Sequence, residues 1–263
     1  FYTNIISSFM GHAYKADYTI HISGYEYSPE MEKKHLRLLE NSKPGAVVIV
    51  FNGYSDEAEI TRLIKKDVHV ILADRQNLIR NTSSVRFDNR EVIYEIIKYL
   101  KDRGYSSIGL LTELTRLENV RRRRDSFVEA MEFHGYKNPE ACVYERESLS
   151  LDKLKNGYLY MKEILEEHPK EELPQAWIAT SDYLAIGLMR AINEKGYRIP
   201  DDFGVVGYDN LELSAYVYPK LTTVSQDQKL FGEKLWEAVE HYNQTNETID
   251  ILLPQKIVIR ESC

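Results

Sequence analysis

The stretch AWIATSDYLAIGLMRAINEKGYRIPDDFGVVG, residues 176–207, contains two apolar runs separated by an amphipathic helical segment. The runs at 176–179 and 204–207 have the length of buried strands, and residues 182–195 place apolar side chains at helical spacing. Gly196 follows that segment and suits the left-handed conformation that ends many helices. A strand, a helix and a second strand in this order predict a parallel β-α-β unit.

The same alternation extends over the rest of the chain. Further strand-like runs are Tyr18–Ile22, Ala46–Phe51, His69–Ala73, Val85–Phe87, Ile108–Leu111 and Cys142–Tyr144. Further helical patterns are Asn4–Ala16, Pro29–Glu40, Asp56–Lys66, Glu91–Arg103, Glu118–His134, Leu151–Glu167 and Gln228–Tyr242. We therefore predict an α/β fold whose parallel sheets are covered by helices. The 263 residues suffice for about two domains, and short ordered crossings must join them because no linker-like segment is present.

The composition excludes several classes of protein. Hydrophobic residues make up 43% and charged residues 29%, which is ordinary for a soluble globular chain. No apolar run approaches the ~20 residues of a membrane span. The net charge of −7 argues against non-specific nucleic-acid binding by this chain. Cys142 and Cys263 are far apart and neither has zinc-ligand spacing around it. We predict no metal and no cofactor, because phosphate-binding and dinucleotide-binding loops are also absent.

Polar residues follow several predicted strands at their carboxyl ends, which is where open α/β sheets bind ligands. They are Asp74, Arg75, Asp88, Asn89, Ser181, Asp182, Asp209 and Asn210. A structural role is the alternative: Asp88 and Ser181 are suited to cap helices, and Asp209 to form a turn. A hydrolase that uses Asp74, Asp182 and Asp209 is a further alternative. We predict no enzymatic activity, because no nucleophile and base pair is visible.

The run of arginines from Arg121 to Arg124 lies near the start of a predicted helix, where the helix dipole disfavours cations. At ~100° per residue the four side chains spread around the helix and form no basic stripe. Arg123 lies four residues before Phe127, on the side of that predicted core residue. We therefore expect Arg123 to point inward, and the others to be solvated or paired with acids such as Glu118 and Asp125.

Several short motifs follow one another in a fixed order over essentially the whole chain. The main ones are PDDFGVVGYDN at 200–210 and YPKLTTV at 218–224. Shorter ones are RFDN at 86–89, RGY at 103–105, Arg123 followed by Phe127, TSD at 180–182 and AIG at 185–187. In combination and in this order, the motifs resemble the LacI/GalR family of transcriptional regulators, whereas each motif alone is a weak signal.

The resemblance implies two Rossmann-like lobes of the type I periplasmic-binding-protein-like fold, joined by three hinge crossings. The N-terminal lobe would comprise residues 1–86 and 223–246, and the C-terminal lobe residues 87–222 and 247–263. The expected crossings fall near Val85–Asp88, Leu221–Thr223 and Asn246–Ile249. The DNA-binding helix-turn-helix of the family is absent from this chain.

The resemblance also carries ligand positions onto this sequence. They are Phe1 or Tyr2, Asp74, Asn119, Arg123, Ile178, Ser181 and Asp209. The residue types suit a small polar molecule held between the lobes, because Arg123 offers a fork of donors and the aspartates accept from hydroxyl groups. The chain departs from the family's common pattern at Ile178, where an aromatic ring is frequent, and at Ser181, where Asn is frequent.

By resemblance, the chain is the effector-binding and dimerisation domain of a bacterial transcriptional regulator, in most members a repressor. The expected effector is a sugar, the expected assembly a homodimer and the expected location the cytoplasm. Operator DNA would be bound by an N-terminal domain outside this chain, and no membrane contact is expected. The alternative is an exported sugar-binding protein that serves a transporter, because the same fold performs both functions.

Overall fold

The structure is a computed structural model that describes residues 2–24, 28–50, 57–75, 79–113, 115, 117–146 and 152–263. The chain forms two compact units. Unit 1 comprises residues 1–87 and 227–253, and unit 2 comprises residues 88–226 and 254–263. The chain therefore passes from one unit to the other three times, after residues 87, 226 and 253.

Helices and strands alternate as the sequence pattern predicts. The α-helices that the structure describes are α1 Tyr2–Lys15, α2 Pro29–Ser42, α3 Glu57–Ile64, α4 Asn89–Asp102, α5 Glu118–Phe133, α6 Lys153–Glu167, α7 Asp182–Glu194 and α8 Gln228–Thr245. The strands are β1 Ala46–Val50, β2 His69–Ala73, β3 Ser83–Phe87, β4 Ile108–Glu113, β5 Val143–Arg146, β6 Ala176–Ala179, β7 Gly204–Val206, β8 Thr223–Ser225, β9 Asp250–Leu253 and β10 Lys256–Val258. In the described part of the chain, no helix combines the length and apolar character needed to cross a bilayer.

Unit 1 is built on a parallel sheet with the strand order β1-β2-β3-β9. Every residue of β2 is buried, as expected for a central strand covered on both faces. One core cluster packs α1 and α8 against this sheet, with Phe231 and Trp236 of α8 beside Ile5 of α1. A second cluster packs α2 and α3 around Ile60 and Leu63.

Unit 2 is built on a parallel sheet with the order β5-β4-β6-β7. Helices α4 and α5 pack with one core cluster, and α6 and α7 with another that includes Trp177. Strands β8 and β10 form a separate antiparallel pair in the same unit. Gly196 ends α7 in the predicted left-handed conformation, with φ +87°. These findings confirm the α/β fold with parallel sheets in two lobes.

The prediction of a strand at Tyr18–Ile22 is wrong, because residues 18–22 form neither a helix nor a strand. Four of these five side chains are exposed, and the backbone nitrogen of Tyr18 donates to the carbonyl oxygen of Ala13 at 2.9 Å, at the end of α1 rather than in a sheet. Tyr18 packs instead against Trp236, at 5.2 Å between ring centroids, and its hydroxyl accepts a hydrogen bond from Asn243.

The unit boundaries differ from the predicted lobe boundaries at all three places, by one residue at Phe87 and by several residues at the other two. Residues 250–253 form β9, which pairs with β3, so they lie in unit 1 rather than in the C-terminal lobe. Residues 223–225 form β8, which pairs with β10, so they lie in unit 2. In both cases the hydrogen bonds of a strand of three or four residues decide the assignment, and such short strands carry little periodic signal.

Candidate functional site

Arg123 is buried on the inner side of α5, with only 4% of its surface exposed. Phe127, one turn later, is fully buried in the core. The Nε atom of Arg123 donates to Oδ1 of Asn89 at 3.2 Å, and Nη1 donates to the carbonyl oxygen of Thr180 at 2.7 Å. The prediction that Arg123 points inward is therefore confirmed, and hydrogen bonds from two other elements fix its orientation.

The ring of Tyr208 packs against the Arg123 guanidinium. Atom Cζ of Arg123 lies 3.7 Å from the centroid of the Tyr208 ring, which is a cation–π contact in a desolvated setting. The Tyr208 hydroxyl lies 2.8 Å from Oδ1 of Asn89 and 2.6 Å from Oε1 of Gln255. Asn89, Arg123 and Tyr208 thus form one buried polar network, which holds the guanidinium in a fixed orientation.

The other arginines of the run take ordinary surface positions. Nε of Arg122 donates to Glu118 at 2.9 Å, and Arg124 pairs with Asp125 at 3.3 Å and with Glu140. Arg121 is exposed. The expected pairing with acids is confirmed for Arg122 and Arg124, so Arg123 alone of the four is oriented toward the end of the sheet.

Asp209 follows β7 and faces Arg123. Its Oδ1 atom lies 3.6 Å from Nη1 of Arg123. The backbone is strained here, because Asp209 has φ +104° and Asn210 has φ +48°. Residues other than glycine rarely adopt positive φ values. Burial raises the pKa of the Asp209 carboxyl, whereas the positive charges of Arg123 and Lys153 lower it. Strain of this kind persists only where the surrounding structure holds it.

Asp182 is the main support of the strained loop. Its Oδ2 atom accepts from the backbone nitrogen of Leu211 at 2.7 Å, and its Oδ1 accepts from the Thr223 hydroxyl. A Cβ atom on Gly207 would lie 2.3 Å from Oδ1 of Asp182, so only glycine leaves room for the carboxyl. Burial raises the pKa of Asp182 to about 7, with a further contribution from Asp209, against the lowering effect of these hydrogen bonds.

Arg260 also holds the loop that carries Asp209, through hydrogen bonds from its guanidinium. Its Nη2 atom donates to Oδ1 of Asn210 at 2.7 Å, and Nη1 donates to the carbonyl oxygen of Leu221 at 2.7 Å and to the Ser214 hydroxyl at 3.0 Å. Arg260 was not among the predicted site residues, because it lies far along the chain and no motif marks it. Together Asp182 and Arg260 position the loop that carries Asp209.

Three further predicted site residues lie in unit 2 but take more local roles. The Ser181 hydroxyl accepts from the backbone nitrogen of Leu184 at 3.3 Å, so it caps α7, as the structural alternative predicts. Ile178 has no exposed surface and belongs to the core beneath the site. Asn119 is half-buried on the first turn of α5, and its Oδ1 accepts from the next backbone nitrogen.

Unit 1 holds the remaining predicted site residues. Asp74 follows β2 with φ +58°, and its backbone nitrogen donates to the carbonyl oxygen of Val85 at 2.8 Å. Asp74 is buried, with 9% of its surface exposed. Tyr2 is the first residue of α1 and is 36% exposed. Phe1 lies outside the described residues.

Lys153 and Glu113 are charged residues of the site that the sequence analysis did not identify. Burial lowers the pKa of the Lys153 ammonium, while the carboxylates of Asp209 and Glu113 raise it and Arg123 lowers it further. These effects place Lys153 within electrostatic range of the Arg123 and Asp209 pair. Lys153 is the first residue of α6, and no motif in the sequence marks it as part of the site.

The arrangement suits binding of a polar molecule. Carboxylate oxygens accept from hydroxyl groups, and a guanidinium fixed on an aromatic ring presents donors in a defined plane. Among the described residues, no group of three or more His, Cys, Asp or Glu side chains is placed to hold a metal ion.

A family profile and a related repressor both match this chain in sequence. The profile of the family described as periplasmic binding protein-like domain matches residues 97–263. The HTH-type transcriptional repressor PurR of Mannheimia succiniciproducens is 28% identical over 267 residues, which cover 100% of this chain and 77% of the repressor.

Solved structures support the same fold. A LacI family transcriptional regulator from Silicibacter pomeroyi superposes with a TM-score of 0.86 at 23% identity, over 99% of this chain and 93% of that one. A LacI family transcriptional regulator from Enterococcus faecium with bound ribose gives 0.82 at 24% identity, over 98% and 94% of the two chains. At these identities the likeness shows the fold alone.

Proposed function

Since the chain belongs to the periplasmic binding protein-like domain family, we propose that it is the effector-binding region of a LacI-type transcriptional regulator, specifically a repressor. The observation that carries this proposal is the similarity of the whole chain to the repressor PurR of Mannheimia succiniciproducens. An exported solute-binding protein has the same fold, so the fold does not separate the two functions. The repressor relative favours the regulator.

The effector that we infer is a small polyol, with a sugar as its simplest form, that is bound without chemical change. Arg123, Asp209 and Asn119 are its proposed contacts on unit 2, because they offer donors and acceptors at the carboxyl end of the sheet. The ribose bound to the Enterococcus faecium regulator supports this chemistry. Phe1, Tyr2, Asp74, Ile178 and Ser181 stay predicted contacts.

Regulation requires that the effector bind one conformation of the protein more tightly than another, which shifts their populations. We propose that the regulator works in the bacterial cytoplasm as a homodimer and that residues outside this sequence bind operator DNA. The net charge of −7 disfavours DNA contact by the chain itself. The repressor relative is longer, since this chain covers 77% of it.

A calorimetric titration with a panel of sugars tests the binding site. The variant Arg123→Ala should abolish the heat of binding, because it removes the guanidinium donors that contact the ligand and the positive charge that faces Asp209. Arg121→Ala is the matched control, since it removes an exposed arginine from the same helix. Unchanged binding by Arg123→Ala, with an unchanged far-UV circular dichroism spectrum, would contradict the proposed site.

Sequencing the source gene upstream of the codon for Phe1 tests the regulator itself. Codons for a helix-turn-helix followed by a short hinge would support the proposal. Codons for a positively charged segment followed by an apolar one would instead identify an export signal, and with it a solute-binding protein.

A further inference from the structure

Lys153 is the first residue of α6, and the first turn of that helix is fixed to the end of the unit 2 sheet. The Asp152 carboxylate accepts from the backbone nitrogen of Lys155 at 3.1 Å and caps the helix. Nδ2 of Asn156 donates to Oε2 of Glu113, the last residue of β4, at 2.8 Å. Lys153 is thus held at the same end of the sheet as the Arg123 and Asp209 pair.

The Lys153 side chain is half-buried, and the charges that act on it include the carboxylates of Asp209 and Glu113. Within the described ranges, its ammonium makes no hydrogen bond and no ion pair. Asp209, which acts on it electrostatically, lies 3.6 Å from Arg123. Glu113, which also acts on it, is buried and bonded to the Asn156 amide. Both nearby carboxylates are therefore engaged with other groups, and Lys153 is a cation available to a ligand.

We propose that Lys153 makes the site selective for an anionic polyol, that is, a sugar-like molecule that carries a carboxylate or a phosphate group. This inference rests on the proposed function, because it names the class of effector that the same site accepts. In this arrangement Asp209 and Arg123 contact the hydroxyl groups of the ligand, and the Lys153 ammonium contacts its anionic group.

The energetics of a partly desolvated lysine favour this arrangement. Burial lowers the pKa of Lys153, because removal from water penalises its charged form. An anion in contact with the ammonium offsets that penalty and forms a charge-assisted hydrogen bond, which is about twice as strong as a neutral one. A neutral sugar offers only hydroxyl oxygens at the same place. The site should therefore distinguish two ligands that differ in one ionised group.

The test is a thermal-shift and calorimetric comparison of matched ligands. Suitable pairs are ribose with ribose 5-phosphate, glucose with glucuronate, glucose with glucose 6-phosphate, and galactose with galacturonate. We expect an anionic member to bind at least about tenfold more tightly than its neutral counterpart, with an affinity that falls as salt is added. The carboxylate and phosphate pairs distinguish the two kinds of anion.

Variants at Lys153 connect the selectivity to this residue. Lys153→Met should lower the affinity for the anionic ligand about tenfold or more and leave the neutral counterpart within about threefold. Lys153→Arg should retain the preference and serves if the methionine variant does not fold. Lys155→Met is the matched control, because it removes an exposed lysine two residues along the same helix.

Two results would overturn the inference in different ways. If neutral sugars bind as tightly as their anionic counterparts, or Lys153→Met leaves anion affinity unchanged, the inference fails and the proposed function stands. If no polyol of either kind binds, the proposed polyol site fails and the inference fails with it.

Discussion

The guanidinium carbon of Arg123 lies 3.7 Å from the centroid of the Tyr208 ring. The two residues are far apart in sequence, and the same Asn89 oxygen contacts both of them, at 3.2 Å from Arg123 and 2.8 Å from the Tyr208 hydroxyl. A ring and an amide therefore position the guanidinium from two directions. This preorganisation reduces the entropy that a ligand must offset when it binds.

Substitutions of Tyr208 should separate the role of its ring from the role of its hydroxyl. Tyr208→Phe keeps the ring against Arg123, and we expect it to lower the free energy of unfolding by about 1–2 kcal/mol, because the hydrogen bond that the hydroxyl donates to Asn89 or Gln255 is lost. Tyr208→Leu also removes the cation–π contact and should weaken ligand binding further. Urea unfolding and calorimetric titration measure the two effects. Equal ligand affinity in the two variants would contradict a positioning role for the ring.

The sequence suffices to predict most of the secondary structure, because long amphipathic helices and buried strands have strong periodic patterns. It does not suffice for the segments that depend on partners distant in sequence. Residues 18–22 have a strand-like composition but lie outside any sheet. By contrast, β9 forms because it pairs with β3, and β10 forms because it pairs with β8. Backbone pairing rather than local preference decides these segments.

The candidate site shows the same division. Helical geometry alone identifies Arg123 as the inward-facing arginine, because Phe127 fixes the buried face of α5. Lys153 and Arg260 are not identifiable in this way, because tertiary packing brings them to the loop that carries Asp209. Ser181 was predicted both as a ligand contact and as a helix cap, and its capping role is confirmed.

Helices α6 and α7 are packed so closely that glycine is required at their contact. A Cβ atom on Gly187 would lie 2.0 Å from the carbonyl oxygen of Leu154 and 2.6 Å from the nitrogen of Tyr158. Gly187→Ala should therefore lower the free energy of unfolding by about 1–3 kcal/mol through overpacking. Gly11→Ala is the contrasting case, because nothing lies within 4 Å of a Cβ there and alanine favours the α1 helix. It should raise the free energy of unfolding by about 0.5–1 kcal/mol, and a stability gain at both positions would contradict the close contact.

Asp182 should give unit 2 a stability that falls as the pH rises toward neutrality. Its pKa is raised to about 7 by burial, above the ordinary value of 3.8, so the folded state binds a proton that the unfolded state has released. The contribution is fully present below about pH 4 and is lost as the pH rises through 7, at about 1.4 kcal/mol for each unit of pKa difference. Asp182→Asn removes this dependence, whereas the exposed control Glu166→Gln should retain it. Urea unfolding at several pH values measures the slope, and an unchanged slope in Asp182→Asn would refute this assignment.

His69 should give unit 1 a stability that falls as the pH decreases, which is the opposite of the effect of Asp182 over an overlapping pH range. Its ring stacks on Tyr242 at 4.0 Å, and its Nε2 lies 2.9 Å from the Ser83 hydroxyl. Burial, with a smaller effect from His241, lowers the pKa of His69 from 6.5 to about 4. The unfolded state therefore takes up a proton first as the pH falls below 6.5, and the contribution of the neutral ring to stability is lost as the pH falls through 4.

Because the contributions of His69 and Asp182 have opposite signs between pH 4 and 7, the wild-type protein alone does not reveal either one. The difference between wild type and His69→Gln isolates the histidine, and we expect the variant to lose less stability than wild type between pH 6.5 and 4. His21→Gln is the control, because His21 is exposed in the same unit. The double variant His69→Gln with Asp182→Asn should show both effects added, since additivity holds for sites that share no partners. A His69→Gln profile that is parallel to wild type would mean that the stacked ring titrates alike in the folded and unfolded chain.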